Sequence, residues 1–200
     1  MTVHSESSPF HLVTLEQGTP AWLEWRSQGI GASDAPTIMG ENPWKTPAQL
    51  LDEKCGNRDT PTSSAMALGS ALEPEARRRY EARTGTQMAP ACMQSSKHAW
   101  LRASVDGIAL DFSRVVEIKC GDSVYRKTAQ ARQPPRYYFG QLQHILAVTA
   151  LKEIDFWCYL PNRPEVLLVI GRDDRYIDTM LERERAFWSE LLRRRDCQLN

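Results

Sequence analysis

Two carboxylates and a lysine stand close together in the stretch SVDGIALDFSRVVEIKC, which runs from Ser104 to Cys120. Asp106 precedes Glu117 by eleven positions, and Lys119 follows Glu117 at a spacing of two. Because side chains at i and i+2 share one face of a strand, Glu117 and Lys119 are expected to point the same way. Two neighbouring carboxylates repel each other unless a cation lies between them. The stretch therefore suits either a solvated ion-pair face or a site for a hard divalent cation such as Mg²⁺ or Mn²⁺.

Taken alone, the ion-pair face is the simpler interpretation of these residues. A Glu–Lys pair on an exposed strand face is common and contributes little to stability. In the metal interpretation, Asp106, Glu117 and the main-chain carbonyl of Ile118 supply oxygen ligands. Lys119 then orients the attacking water or stabilises negative charge on a phosphate. The surrounding segments are needed to distinguish the two.

The composition is that of a neutral globular chain. Its 200 residues, 42% of them hydrophobic, are enough for one core, so we expect a single domain over residues 1–200. The 25 basic and 25 acidic residues cancel, although local clusters such as Arg77–Arg79 exist. The five cysteines form no CxxC pair, which argues against a zinc ribbon, a disulfide framework or a four-cysteine iron–sulfur cluster. We find no apolar run of membrane-spanning length and no signal peptide, so we expect a cytoplasmic protein.

Cap-and-proline pairs mark helices in the N-terminal part. Residues 1–18 are expected to form a flexible tail, and residues 19–63 a helical part of the same domain, with a polar loop at 57–63. Thr and Pro in sequence at positions 19–20 and again at 46–47 each begin a helix, because threonine caps it and proline suits its first position. A third, short helix is expected to begin at Ser33.

Further along the chain, the hydrophobic period changes to two from residue 99. Within the segment 64–84, Pro74 predicts a kink or two abutting helices near Glu73. The predicted elements are a helix over 64–84, strands over 99–105, 108–110 and 114–120, a loop over 121–135, a helix over 136–150, strands over 153–160 and 165–170, and a helix over 173–195. This order predicts an α/β fold around a small mixed sheet, without an alternating Rossmann pattern or a glycine-rich phosphate loop.

The residues SVDG and VVEIKC resemble the metal centre of the PD-(D/E)xK nuclease superfamily. The surrounding segments resemble one branch of it, the phage lambda exonuclease and YqaJ-type viral recombinase family. Four segments match in order and cover most of residues 20–160. One departure is Val105, which stands where the superfamily's name has proline and which shapes the backbone rather than binding metal. The resemblance implies a restriction-endonuclease-like core, a small mixed sheet flanked by helices, with an N-terminal helical extension.

The resemblance also implies residues that contact DNA. In WLEWRSQGIGASD it implies that Arg26 and Ser33 hold a 5′-phosphate. In YYFGQLQHILAVT it points to Tyr138, to Gln141 and also to Gln143. Two glutamines two apart on a helix cannot both face one site squarely, and Gln141 is favoured because it shares a face with Tyr138.

The catalytic set implied by the resemblance has four side chains and one carbonyl. Glu73, from ALGSALEPEA, joins Asp106, Glu117 and the Ile118 carbonyl in holding two Mg²⁺ (or Mn²⁺) ions. Lys119 activates the water that attacks the phosphodiester.

For the whole protein, the resemblance implies a Mg²⁺-dependent exonuclease that digests one strand of linear double-stranded DNA from the 5′ end and leaves 3′ overhangs. It also implies a single-strand annealing recombinase as partner, a homotrimeric ring, and a bacterial, phage- or prophage-encoded setting. Three alternatives stay open: a related PD-(D/E)xK endonuclease, a CRISPR-associated-type nuclease, and a catalytically silent module that binds DNA ends. The absence of clustered cysteines argues against the CRISPR-associated-type nuclease. The presence of Asp106, Glu117 and Lys119 together argues against the catalytically silent module.

Overall fold

The computed structural model describes residues 8–56 and 64–199. One mixed sheet flanked by helices runs through them, which confirms the predicted α/β class. The strands are β1 (Phe10–Val13), β2 (Ile30–Gly31), β3 (Met88–Ser95), β4 (Leu101–Ala109), β5 (Val115–Lys119), β6 (Glu153–Cys158) and β7 (Val166–Gly171). The helices are α1 (Pro20–Ser27), α2 (Ala35–Ile38), α3 (Pro47–Lys54), α4 (Ser64–Thr84), α5 (Asp122–Ala131), α6 (Arg136–Thr149) and α7 (Asp174–Leu199), with a 3-10 turn at Ala32–Asp34.

The strands lie in the order β1-β3-β4-β5-β6-β7, and β2 pairs with β4 beside this path. The β2–β4 and β5–β6 pairs are parallel, whereas the other pairs are antiparallel. Strand β5 is therefore a central strand with a partner on each side. Its carboxyl-end residues pair with β6, whereas its pairs with β4 end at Val116.

Alternate residues of β5 enter two hydrophobic clusters on opposite faces of the sheet. Val115 belongs to a cluster that includes residues of α6, whereas Val116 and Ile118 belong to a cluster that includes Ala76 and Tyr80 of α4. This confirms the predicted alternation along the strand. The Trp157 indole N–H donates to the Ala76 carbonyl at 3.1 Å, and the Tyr80 hydroxyl donates to Asp155, so that α4 is anchored to β6.

A buried polar network ties α6 to β4 and α7. His144 and Glu184 are both fully buried, and the His144 Nδ1 lies 2.8 Å from Glu184 Oε1. The other ring nitrogen of His144 donates to the Arg102 carbonyl at 2.9 Å. Burial acts to lower the pKa of His144, but the Glu184 carboxylate outweighs it and the pKa is raised. The network fixes the face that α6 turns toward the sheet.

Two predictions for the N-terminal half were wrong or incomplete. Strand β1 lies within the predicted flexible tail and pairs antiparallel with β3. Strand β3 was not predicted at all, because Pro90 stands at a register shift between Ala89 and Ala91 and interrupts the alternating pattern. The remainder of the predicted tail, residues 1–7, and the predicted loop over 57–63 lie outside the described residues.

Two predictions for the middle of the chain were also wrong. The two short strands expected over 99–110 are one continuous strand, β4. The loop expected over 121–135 contains helix α5, in which Val124 and Thr128 are buried one turn apart. The buried stripe of α5 is narrow, and charged and polar residues occupy its other faces, so the composition of this segment resembles that of a loop.

Candidate active site

Asp106 and Glu117 come together because β4 and β5 form an antiparallel pair. Gly107 is opposite Val116 in this pair, so the next step along the ladder brings Asp106 beside Glu117. Asp106 Oδ2 accepts a 2.7 Å hydrogen bond from the Ile118 N–H. A side chain at position 107 would collide with Val116 and Met88, since a built Cβ lies 2.8 Å from Val116 Cγ1. Glycine after Asp106 thus allows the close packing that holds the aspartate in place.

Glu117 is the centre of the cluster and is only 2% exposed. Its Oε1 accepts from Lys119 Nζ at 2.6 Å and from Gln141 Nε2 at 2.5 Å. The Lys119 ammonium also lies 4.7 Å from the centre of the Tyr138 ring. The structure therefore joins strand β5 to helix α6 through the residues that the sequence singled out.

Helix α4 supplies the third carboxylate. Arg77 Nη2 donates to Glu73 Oε1 at 2.7 Å, and Arg77 Nε donates to the main-chain carbonyl of Asp106 at 2.6 Å. Arg77 thus links Glu73 to strand β4 at Asp106. In the sequence Arg77 stands out only as part of a basic cluster, although its spacing of four from Glu73 on a helix predicts a contact between them.

Burial disfavours the charged forms of all three carboxylates, and the Asp106 charge adds to this effect at Glu117 and Glu73. Burial and then the charge of Asp106 raise the pKa of Glu117, to about 7, even though Lys119 opposes this shift. Burial also raises the pKa of Asp106, and burial followed by the Asp106 charge raises that of Glu73. For Lys119, burial acts to lower the pKa, but Glu117 and Asp106 outweigh it and raise the pKa. The cluster is therefore an environment that favours additional positive charge.

The residues fit a hard divalent cation by their chemistry. Glu117 Oε2 is buried and has no hydrogen-bond partner, which is costly unless another group satisfies it. Across residues 8–56 and 64–199, no three His, Cys, Asp or Glu side chains form a ready-made ligand group. Two acids completed by main-chain oxygen and water nevertheless suit Mg²⁺, which usually keeps several waters. The main-chain carbonyl of Ile118 stays a predicted ligand.

Arg26 and Ser33, which the family resemblance assigns to one phosphate, form a second polar pair. Arg26 Nη2 donates to Ser33 Oγ at 2.6 Å, and the guanidinium lies 5.2 Å from the centre of the Trp22 ring. Asp34, next to Ser33, accepts from the Gly31 N–H at 2.9 Å. An exposed serine beside a guanidinium is a suitable site for a phosphate.

The turn that carries Ser33 is held by an ion pair that sequence reasoning missed. Lys54 Nζ lies 2.9 Å from Asp34 Oδ2 and donates to the Gly29 carbonyl at 2.8 Å. Burial acts to raise the pKa of Asp34, but Lys54 and Arg26 outweigh it and lower the pKa. Because the partners are twenty positions apart and on different elements, no local spacing pointed to the pair.

Gln143 lies outside the cluster, so its placement at the DNA site needs correction. Its side chain is fully buried; Nε2 donates to the Gly171 carbonyl at 2.9 Å and Oε1 accepts from the Asp173 N–H at 2.9 Å. The two ends of the amide thus bind the last residue of β7 and the residue before α7. Gln141 is the glutamine that faces Glu117, because two residues on a helix separated by two positions point about 200° apart.

A cleft of about 980 Å³ extends from Arg26 to helix α4. Arg26 and Asp34 line it together with Glu73 and Arg77 of α4. Lys45 also lines this cleft. The cleft therefore runs from Arg26 to Glu73 and Arg77, and Arg77 in turn contacts the Asp106 carbonyl.

A model of the YqaJ-like viral recombinase domain matches residues 21–152, well over half of the chain. The chain belongs to this family. The uncharacterized protein YqaJ of Bacillus subtilis (strain 168) is 30% identical to it over 181 residues, which are 88% of this chain and 57% of that protein. A protein of Acanthamoeba polyphaga mimivirus is 29% identical over 157 residues, 28% of its own length. This YqaJ-like chain thus spans little more than half of the first of these relatives and under a third of the second.

Solved structures share the fold of this YqaJ-like chain. An alkaline exonuclease, LHK-Exo from Laribacter hongkongensis, superimposes with a TM-score of 0.77 at 27% identity, over 91% of this chain and 100% of that one. The crystal structure of LHK-Exo in complex with dAMP gives a TM-score of 0.76. A phage-related exonuclease from Haemophilus somnus 129PT gives a TM-score of 0.61 at 14% identity and shows likeness of fold alone.

Replacing Asp106 with asparagine is expected to stabilise the metal-free protein at about pH 8. Burial raises the pKa of Asp106 on folding. Below the pKa of the unfolded chain, near 4, the group therefore costs the folded protein nothing, and the free energy of unfolding falls as pH rises through the pKa of the folded state. Removing this charge also relieves Glu117 and Glu73. A gain of about 1 kcal/mol raises Tm by about 2–4 °C, which thermal denaturation in EDTA measures.

Asp178→Asn, an exposed change on α7, is the matched control and should leave Tm unchanged. Adding Mg²⁺ should raise the Tm of the parent protein more than that of Asp106→Asn. An equal or lower Tm of Asp106→Asn in EDTA would contradict the electrostatic account of the cluster.

Proposed function

We propose that the chain is a Mg²⁺-dependent exonuclease that digests the 5′-ended strand of linear double-stranded DNA and leaves a 3′ single-stranded overhang. The observation that carries this proposal is the single cleft that joins Arg26 to Glu73 and, through Arg77, to Asp106. One end suits a terminal phosphate, and the other suits a phosphodiester under attack. The similarity to an alkaline exonuclease supports the same activity, as does its complex with dAMP, a molecule with one base and one 5′-phosphate.

In this proposal, some residues position the DNA and others stabilise charge at the scissile phosphate. Arg26 and Ser33 would bind the 5′-phosphate and so place the scissile bond at a constant distance from the chain end. Lys119, held by Glu117 and above the Tyr138 ring, would hydrogen-bond the attacking water and stabilise charge on the phosphate. Gln141 keeps the Glu117 carboxylate in orientation.

Asp106, Glu117 and Glu73, with the Ile118 carbonyl, would hold the divalent cations, two Mg²⁺ or Mn²⁺ in this proposal. When bound, such cations lower the pKa of a coordinated water and neutralise charge on the phosphate. The unpartnered Glu117 Oε2 and the raised pKa values of Glu117 and Glu73, to which burial and the Asp106 charge contribute, support this assignment.

We also propose that the protein works as a homotrimeric ring with a single-strand annealing recombinase, in the cytoplasm of a bacterium that carries a phage or prophage. The family to which the chain belongs supports a recombination role. No helix among the described residues is both long and apolar enough to cross a membrane. A ring would also allow a chain of zero formal net charge to stay on DNA by enclosing it.

The activity is tested by digestion of a linear duplex that carries a 5′-phosphate on one labelled strand. With Mg²⁺, the 5′-labelled strand should release labelled mononucleotide first, whereas 3′-labelled strands should shorten gradually; EDTA should stop both. Covalently closed circular DNA should resist. Nicking of the circle would support the endonuclease alternative, and release from the 3′ end would overturn the proposed polarity.

A further inference from the structure

Trp44 is held in solvent by an ordered turn between α2 and α3. The residue is 70% exposed. The main-chain N–H of Trp44 donates to Asn42 Oδ1 at 2.9 Å, and Asn42 Nδ2 donates to Thr37 Oγ1 at 2.9 Å. The following helix begins with a capping box at Thr46. A large aromatic side chain presented by an ordered turn is a feature of binding surfaces, because its apolar area gains from being covered.

A row of aromatic rings connects Trp44 to the active site. The Trp44 and Tyr137 rings lie 4.8 Å apart, and the Tyr137 and Tyr138 rings also lie 4.8 Å apart. The Tyr138 ring in turn carries the Lys119 ammonium at 4.7 Å. Two tyrosine rings thus separate Trp44 from Lys119. A few nucleotides of DNA would span this separation.

The geometry leaves ring surface available for a ligand. Trp44 and Tyr137 meet edge to face, at an interplanar angle of 70°, which cannot cover both faces of both rings. We call these two residues the Trp44–Tyr137 pair. The exposed Lys127 places its ammonium 5.3 Å from the centre of the Tyr137 ring. Lys45, the residue after Trp44, lines the cleft that contains Arg26 and Glu73.

We infer that the Trp44–Tyr137 pair is a stacking site for an unpaired base of the 3′-ended strand, with Lys127 near the adjoining phosphate. Aromatic rings beside cations are how proteins bind single-stranded nucleic acid without regard to sequence. The 3′-ended strand is the one available here, because Arg26 and Ser33 take the 5′ end inside the cleft. This inference rests on the proposed function.

Binding of two duplexes in EDTA tests the inference. One duplex is blunt and the other carries a 3′ overhang of about ten nucleotides; both are followed by fluorescence anisotropy. The parent protein should bind the overhang duplex about tenfold more tightly than the blunt one, and Trp44→Ala should remove this ratio, since stacking of one base accounts for an effect of this size. Trp44→Phe should keep most of it.

Leu110→Ala serves as the matched control, because Leu110 is 69% exposed in the turn at the far end of β5 from Lys119. It should bind both duplexes as the parent protein does. As a second readout, 2-aminopurine in the overhang should be quenched by the parent protein and not by Trp44→Ala.

The possible failures are distinguishable. A protein that neither binds nor digests linear duplex DNA overturns the proposed function and this inference together. A protein that digests DNA, but keeps the same overhang preference in Trp44→Ala, overturns the stacking site alone. If Trp44→Ala changes the sedimentation coefficient but keeps the overhang preference, Trp44 belongs to a contact between copies of the chain. That result would also overturn the stacking site.

Discussion

Lys119→Met is expected to lower the rate of digestion of linear duplex DNA by at least about a hundredfold, with DNA affinity almost unchanged. The ammonium of Lys119 donates to Glu117 at 2.6 Å, and in the proposed mechanism it hydrogen-bonds the attacking water. A positioned group of this kind contributes about 10²–10⁴ in rate. Methionine keeps the apolar stem against Tyr138, so that packing is retained while the charge is removed. Single-turnover digestion with a 5′-phosphorylated duplex measures the rate.

Lys97→Met, at an exposed position beyond β3, is the control for loss of one positive charge and should digest DNA at the parent rate. Glu117→Gln should be as inactive as Lys119→Met, because the amide keeps the shape of the side chain but not its charge. Thermal denaturation establishes that both variants are folded. Full activity in a folded Lys119→Met protein would remove Lys119 from the site.

Arg26→Ala is expected to abolish a preference for 5′-phosphorylated over 5′-hydroxyl DNA ends. The parent protein should digest the phosphorylated duplex about 10–100 times faster, which corresponds to about 1.5–3 kcal/mol for hydrogen bonds to a charged group. Arg26 is held by Ser33 and by the Trp22 ring, so the guanidinium is already in place before a phosphate arrives. Initial rates on the two duplexes give the ratio directly.

Two further variants sharpen this test. Arg26→Lys keeps the charge but loses the planar fork of donors, and should recover only part of the preference. Arg185→Ala, an exposed arginine of α7, should leave the ratio unchanged. A ratio that stays at the parent value in Arg26→Ala would move the phosphate site elsewhere in the cleft.

Local patterns in the sequence anticipated much of the sheet and most of the site. The period of two along β5 predicted that Glu117 and Lys119 share a face, and their 2.6 Å contact agrees with it. Cap-and-proline pairs located α1 and α3 correctly. These features depend on residues a few positions apart, whose geometry the backbone dihedrals alone determine.

Contacts between distant residues were the ones that pattern reasoning missed. Strand β3 is interrupted by Pro90 and is recognisable only through its partners β1 and β4. The Asp34–Lys54 pair and the bond from Arg77 to the Asp106 carbonyl join different elements. Their existence depends on how helices pack on the sheet, which no spacing in the chain expresses.

The sequence by itself determined the family of this protein and the set of acids, lysine, arginine and serine that form its polar sites. Only the tertiary structure decided that Gln141 faces Glu117 while Gln143 is buried against Gly171 and Asp173. It also left one oxygen of Glu117 without a partner and placed Trp44 at the end of an aromatic row. The reason is physical: periodicity fixes which side chains share a face of one element, whereas sheet register and helix packing decide which faces meet.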